Sequence, residues 1–155
     1  MDVHVRRAAQ IVLDGPVERV FPMFTPLGEC AWVPGWAPQF IRPADGRTAA
    51  GMVFRTGEAD ELTLWACCDW EPGQQRVRYA RVTPASRFGF VEVRCTAATA
   101  TTTTADVAYD LTALTPAGVK YLDEFTAAAF GAMLAEWQVR IDGWLAANPA
   151  AIVRH

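Results

Sequence analysis

The 155 residues are 52% hydrophobic and 20% charged, which excludes a disordered chain. Size scaling allows one domain, residues 1–155, to bury roughly 69% of its unfolded surface without metals or disulfides. A net charge of −3 with 13 scattered Arg forms no basic stripe, which argues against a nucleic-acid partner.

Residues 3–13 are rich in β-branched side chains and end at Asp14-Gly15-Pro16, a turn signal, which predicts a first strand. Pro16 suits the first turn of a helix, and Val17, Val20, Phe21 and Phe24 follow at helical spacing. Pro22 keeps that helix short or bent. Thr25 then reads as the N-cap of a second short helix, with Pro26 at its first position. That helix runs into the aromatic loop Trp32-Val33-Pro34-Gly35-Trp36-Ala37-Pro38.

Strands are expected next at 39–42, 52–57, 62–70, 75–83, 88–96 and 101–114, with short turns that imply an antiparallel meander. Thr101-Thr102-Thr103-Thr104 reads as the start of an exposed strand. Thr115-Pro116 marks a cap and first turn, and about thirty residues follow before Asn148-Pro149. Val119, Leu122, Ala129, Phe130, Met133, Leu134, Trp137, Ile141 and Trp144 fall on one stripe, which predicts a single helix roughly 45 Å long.

Absences narrow the chemistry. His4 and His155 are the only histidines and stand at the chain ends, and Ser86 is the only serine. A Ser-His-Asp triad is therefore not expected, nor are zinc or iron sites that depend on His or paired Cys. No dinucleotide-binding or phosphate-binding glycine motif occurs. Cys30, Cys67, Cys68 and Cys95 form no C-x-x-C pair and are expected as free thiols. No cofactor is expected, and any catalysis would use carboxylates, Arg, Tyr, Thr or Cys. No apolar run reaches the ~20 residues of a membrane span. Residues 1–7 lack the order of a signal peptide, so a cytoplasmic location is expected.

Several segments carry a resemblance: Pro16-Val17-Glu18-Arg19-Val20-Phe21, residues 29–36 (ECAWVPGW), Met52-Val53-Phe54-Arg55-Thr56 and Thr63-Leu64-Trp65. It continues through Tyr79-Ala80-Arg81-Val82-Thr83-Pro84, Val91-Glu92-Val93-Arg94-Cys95, Tyr109-Asp110-Leu111-Thr112-Ala113-Leu114 and the final helix. Over nearly its whole length the chain resembles a bacterial branch of the Bet v 1-like, START-related SRPBCC superfamily, also called polyketide cyclase/dehydrase-like. The resemblance implies an α+β helix-grip fold: a curved antiparallel sheet of about seven strands, two short helices and one long C-terminal helix around a cavity. Members of that superfamily bind lipids, steroids, polyketides or plant hormones, and some are aromatase/cyclases or co-chaperones. The shared motifs are architectural and carry no catalytic signature.

In such a fold the concave sheet face and the C-terminal helix line the cavity. Trp65, Tyr79, Arg81 and Tyr109 occupy odd positions on three strands, and share one face only if the strand register aligns them. Trp32 and Trp36 fall near the expected mouth, and Phe130, Met133 and Trp137 come from the helix. These nine are the candidate ligand contacts, although the same side chains would equally fill a core. A buried Arg81 needs a partner, either Glu92 or a carboxylate or enolate on a ligand, and the parity of Glu92 points it outward. Ser86 and Arg87 read as turn residues, and Asp60-Glu61 and Asp123-Glu124 as solvated pairs.

Three functions fit. The first is binding of a small hydrophobic or aromatic molecule. The second is a cyclase or dehydratase in which Arg81 stabilises an enolate and Tyr79 or Tyr109 moves a proton. The third is a co-chaperone-like protein-interaction domain. Monomer and homodimer both fit.

Overall fold

The computed structural model describes residues 2–149. Seven strands form one antiparallel sheet: β1 (His4–Leu13), β2 (Gln39–Arg42), β3 (Val53–Thr56), β4 (Thr63–Glu71), β5 (Arg76–Thr83), β6 (Arg87–Ala97) and β7 (Thr103–Ala113). Their order is β1-β7-β6-β5-β4-β3-β2, so β2 to β7 are a meander and β1 closes on β7. Helices α1 (Val17–Val20) and α2 (Pro26–Glu29) follow β1, with a 3-10 turn at Phe21–Phe24 between them. Helices α3 (Pro116–Glu124) and α4 (Ala127–Ala147) follow β7. No helix among the described residues is long and apolar enough to cross a membrane.

Local chemistry explains the elements. The Thr25 hydroxyl accepts from the Gly28 amide at 3.1 Å and donates to the Pro22 carbonyl at 2.6 Å, which caps α2 and folds it against the 3-10 turn. Gly28 has no room for a side chain, since a Cβ there would stand 1.9 Å from the Pro22 carbonyl oxygen. Thr115 likewise caps α3 through the Gly118 amide and donates to Ala85, which docks that helix on the β5–β6 turn.

Three expectations need correction. The C-terminal segment is not one helix of about thirty residues but two, broken at Phe125-Thr126. Phe125 turns into the core, with its ring 5.8 Å from Tyr109 and 5.7 Å from Phe130, and its carbonyl accepts from Arg7 Nε at 3.1 Å. Thr126 then caps α4, accepting from the Ala129 amide. The long helix is therefore the 21-residue α4, about 31 Å, and the break leaves Ala129 exposed.

The threonine run does begin a strand, but only at Thr103 and with its first residue buried, not exposed. Thr99 folds the loop by accepting from the amides of Thr101 and Thr102, and β7 starts at Thr103, which is fully buried and donates to the Gly15 carbonyl. Arg87 is not a turn residue either: it opens β6 and is 4% exposed, while Ser86 stays in the turn but is also buried.

The concave face of the sheet carries the core. Leu13, Phe54, Val77, Val107 and Leu111 pack under Phe24, Leu134 and Ile141, all essentially without solvent contact. Pairing of β4 with β5 shifts between Cys67 and Asp69, a bulge that moves Trp70 onto the concave face opposite Val77, stacked on Phe21 at 5.6 Å. On the convex face the same shift brings Asp69 and Glu71 to Arg76, which also bonds Glu92. Gly28→Ala is expected to cost about 1–3 kcal/mol through overpacking, read as a lower denaturation midpoint at unchanged slope.

Candidate functional site

Register settles which strand residues meet. Phe54, Trp65, Arg81, Gly89 and Leu111 lie in one cross-strand row, and Cys67, Tyr79, Val91 and Tyr109 in the next. The odd positions of β4 (up to its bulge), β5 and β7 thus share the concave face. Phe54 and Trp65 stack within 6° of parallel at 5.5 Å, and the Arg81 guanidinium carbon lies 4.5 Å from the Trp65 ring centroid.

Above these rows, α4 contributes Trp137, α2 contributes Pro26 and Glu29, and the loop after α2 contributes Trp36. Together with Phe24, Phe54, Trp65, Tyr79, Val91, Val93 and Tyr109 they enclose a cavity of about 30 Å³. That is room for about one water, so aromatic side chains nearly fill the interior.

Five of the nine candidates, Trp36, Trp65, Tyr79, Tyr109 and Trp137, line this cavity. The other four stand outside it. Trp32 is buried behind Trp137 at 5.5 Å, with its indole N–H on the Met23 carbonyl. Phe130 is buried against Tyr109, and Met133 is half-buried on the core. Arg81 does not line the cavity and lies over the ring of Trp65, which does. Glu92 is no partner for Arg81, because it is on the convex face with Arg76.

The polar groups divide into two sets. Tyr79 donates to the Phe24 carbonyl at 2.9 Å, Trp36 to the Pro26 carbonyl at 2.8 Å and Trp65 to Thr56 Oγ1 at 2.9 Å. Glu29, the Tyr109 hydroxyl and Arg81 have no hydrogen-bond or ion-pair partner among the described residues. Burial pushes the Glu29 carboxyl up to about 8, with the positive charge of Arg81 pulling the other way. Burial also raises Tyr109, again opposed by Arg81. At neutral pH Glu29 is therefore mostly a protonated acid facing an aromatic interior, able to donate a hydrogen bond or a proton.

Sequence reasoning used Glu29 only as part of the resemblance. Its signal was present: it is the only charged residue between Phe21 and Trp36. His4 pairs with Asp110 on the surface at 2.7 Å, and His155 lies outside the described residues.

No family model and no curated protein matches the chain. Solved structures do match it in fold. A point mutant of norcoclaurine synthase from Thalictrum flavum, in complex with a transition-state analogue, superposes with a TM-score of 0.68 at 10% identity. That match covers 97% of this chain and 99% of the other. The ZhuI aromatase/cyclase from Streptomyces sp. R1128 gives 0.67 at 17% identity over 97% and 98% of the two chains. The di-domain aromatase/cyclase BexL gives 0.66 at 13% identity, covering 89% of this chain and 46% of that one.

The pKa of Glu29 has a consequence for stability. The folded chain holds this proton more tightly than the unfolded chain, whose carboxyl titrates near 4.5. Stability is therefore expected to fall as pH rises from about 4.5 to about 8, by at most about 1.4 kcal/mol per pH unit. Glu29→Gln should flatten that slope in denaturation curves taken across the range, and an unchanged slope would mean that the carboxyl is hydrated. In fold, the chain has the helix-grip architecture of these solved structures, a curved antiparallel sheet closed by a long C-terminal helix.

Proposed function

We propose that the protein binds a small hydrophobic or aromatic molecule between the concave sheet face and α4. The observation that carries this reading is the enclosure: aromatic walls surround a void into which Glu29 and Tyr109 present unused polar groups. A few placed polar groups in an apolar enclosure are the usual make-up of a small-molecule site. The solved structures of similar fold include proteins named as aromatase/cyclases and a synthase held with a transition-state analogue, which supports the same reading.

At about 30 Å³ the void is too small for an aromatic ring, so binding has to displace a wall. Trp36 is the wall that can move. It is only partly buried, sits in the loop between α2 and β2, and is held by one hydrogen bond and by edge contacts with Phe54 and Trp65.

A second reading, a cyclase or dehydratase, is favoured by the protonated Glu29, which lines the same cavity as Tyr109 with its free hydroxyl. A group that gives a proton to a departing hydroxyl must hold that proton at working pH. Tyr79 fits this role less well, since its hydroxyl is engaged with Phe24.

Titrating 1-naphthol or indole while following tryptophan fluorescence tests the binding reading. Saturable quenching is expected, with Trp36→Ala binding at least tenfold more tightly because its wall is already open. If neither probe binds the native protein or the Trp36→Ala protein, the reading fails.

A further inference from the structure

We propose that Arg81 and Arg87 together form an anion site at the β5–β6 end of the concave face, one that takes the carboxylate of an aromatic acid. The proposal rests on the binding reading above and deepens it by naming the class of ligand.

Arg81 pairs with Gly89 and Thr83 pairs with Arg87, so the two arginines are diagonal neighbours on one face of adjacent strands. Diagonal positions lie about 7–8 Å apart, within reach of two long side chains. Between them stands Gly89, which offers no side chain of its own, and a Cβ there would meet Leu111 at 2.3 Å. Arg87 is 4% exposed. The Nε atoms of both residues are buried without a hydrogen-bond partner.

The available acceptors are few for two cations. Arg87 donates to Ser86 Oγ at 3.1 Å, faces the Tyr121 ring at 3.6 Å, and reaches Glu61 only at 3.9 Å. Glu61 itself is 73% accessible to solvent. Arg81 has the face of Trp65 and no hydrogen-bond acceptor among the described residues. Glu29, the other carboxyl that acts on Arg81, is largely protonated at neutral pH. Each guanidinium carries five N–H donors and keeps its charge at any physiological pH, so Arg87, which is buried, and Arg81, which is half-buried, bring more positive charge to this end of the concave face than the anions beside them offset. Uncompensated buried charge is costly, and a partner that brings an anion relieves it.

A carboxylate matches the planar fork of a guanidinium by paired hydrogen bonds. The ring attached to that carboxylate has a place to go, because Trp65 is shared: it carries Arg81 and also lines the aromatic cavity. Tyr109, which lines the same cavity and interacts electrostatically with Arg81, joins the two halves.

The test compares 1-naphthoate with its uncharged isostere 1-naphthamide, and with inorganic phosphate, by calorimetry on the intact protein. Naphthoate is expected to bind at least tenfold more tightly than the amide, with that preference lost in Arg81→Gln and reduced in Arg87→Gln. Should either variant fail to fold, the Nε–H resonances of Arg81 and Arg87 in the native protein serve instead, and both are expected to shift with naphthoate and not with the amide. Equal binding of acid and amide overturns the anion site while leaving the apolar reading intact. Phosphate binding that depends on Arg81, without any aromatic binding, overturns the aromatic-acid assignment together with the apolar reading. If none of the three binds, both fall.

Discussion

Cross-strand pairing brings Phe54, Trp65 and Arg81 into one row of the concave face and Tyr79, Val91 and Tyr109 into the row beside it. Side chains in such rows have to pack against one another whatever else they do. The row of Phe54 and Trp65 supplies flat walls, and the row of Tyr79 and Tyr109 supplies a floor with two hydroxyls. Helix α4 closes the top with Trp137, and α2 adds Glu29 at the side. The small size of the remaining void follows from this arrangement, because large rings from both sheet and helix meet in the middle.

The two faces of the sheet treat charge in opposite ways. On the convex face Arg76 has three carboxylates, Asp69, Glu71 and Glu92. On the concave face Arg81 has an aromatic ring in their place. The concave face spends its polar side chains where few partners exist, a pattern more often met at functional sites than in cores built for stability alone.

Features that depend on neighbours in sequence were legible beforehand. Thr25 and Thr115 cap their helices as their positions before Pro26 and Pro116 foretell, and each strand falls within a few residues of its alternation pattern. Parity also put Trp65, Tyr79, Arg81 and Tyr109 on compatible positions, although only pairing could show that the four face the same way. What stayed hidden was set at long range. Nothing local distinguishes Thr126 from a residue inside a helix. It becomes a cap because Phe125 finds Tyr109 and Phe130 in the core and Arg7 takes its carbonyl. Arg87 and Thr103 look like surface residues until α3 and the Gly15 carbonyl are laid over them. Glu29 is visible as the one charge in an apolar stretch, yet only the folded arrangement shows its carboxyl among aromatic rings.

The irregularity in β4 is a single surplus residue, and because side chains alternate it exchanges the two faces of the strand beyond it. Before it, odd positions look inward; after it, Trp70 does. The place where the aromatic interior stops and the acidic exterior begins is thus set by residue count more than by residue type. Residues 67–70 act as a spacer. One inserted or deleted codon there would move the boundary between inside and outside without changing the chemistry of any side chain, which gives this strand a route to a differently sized interior that substitution does not offer.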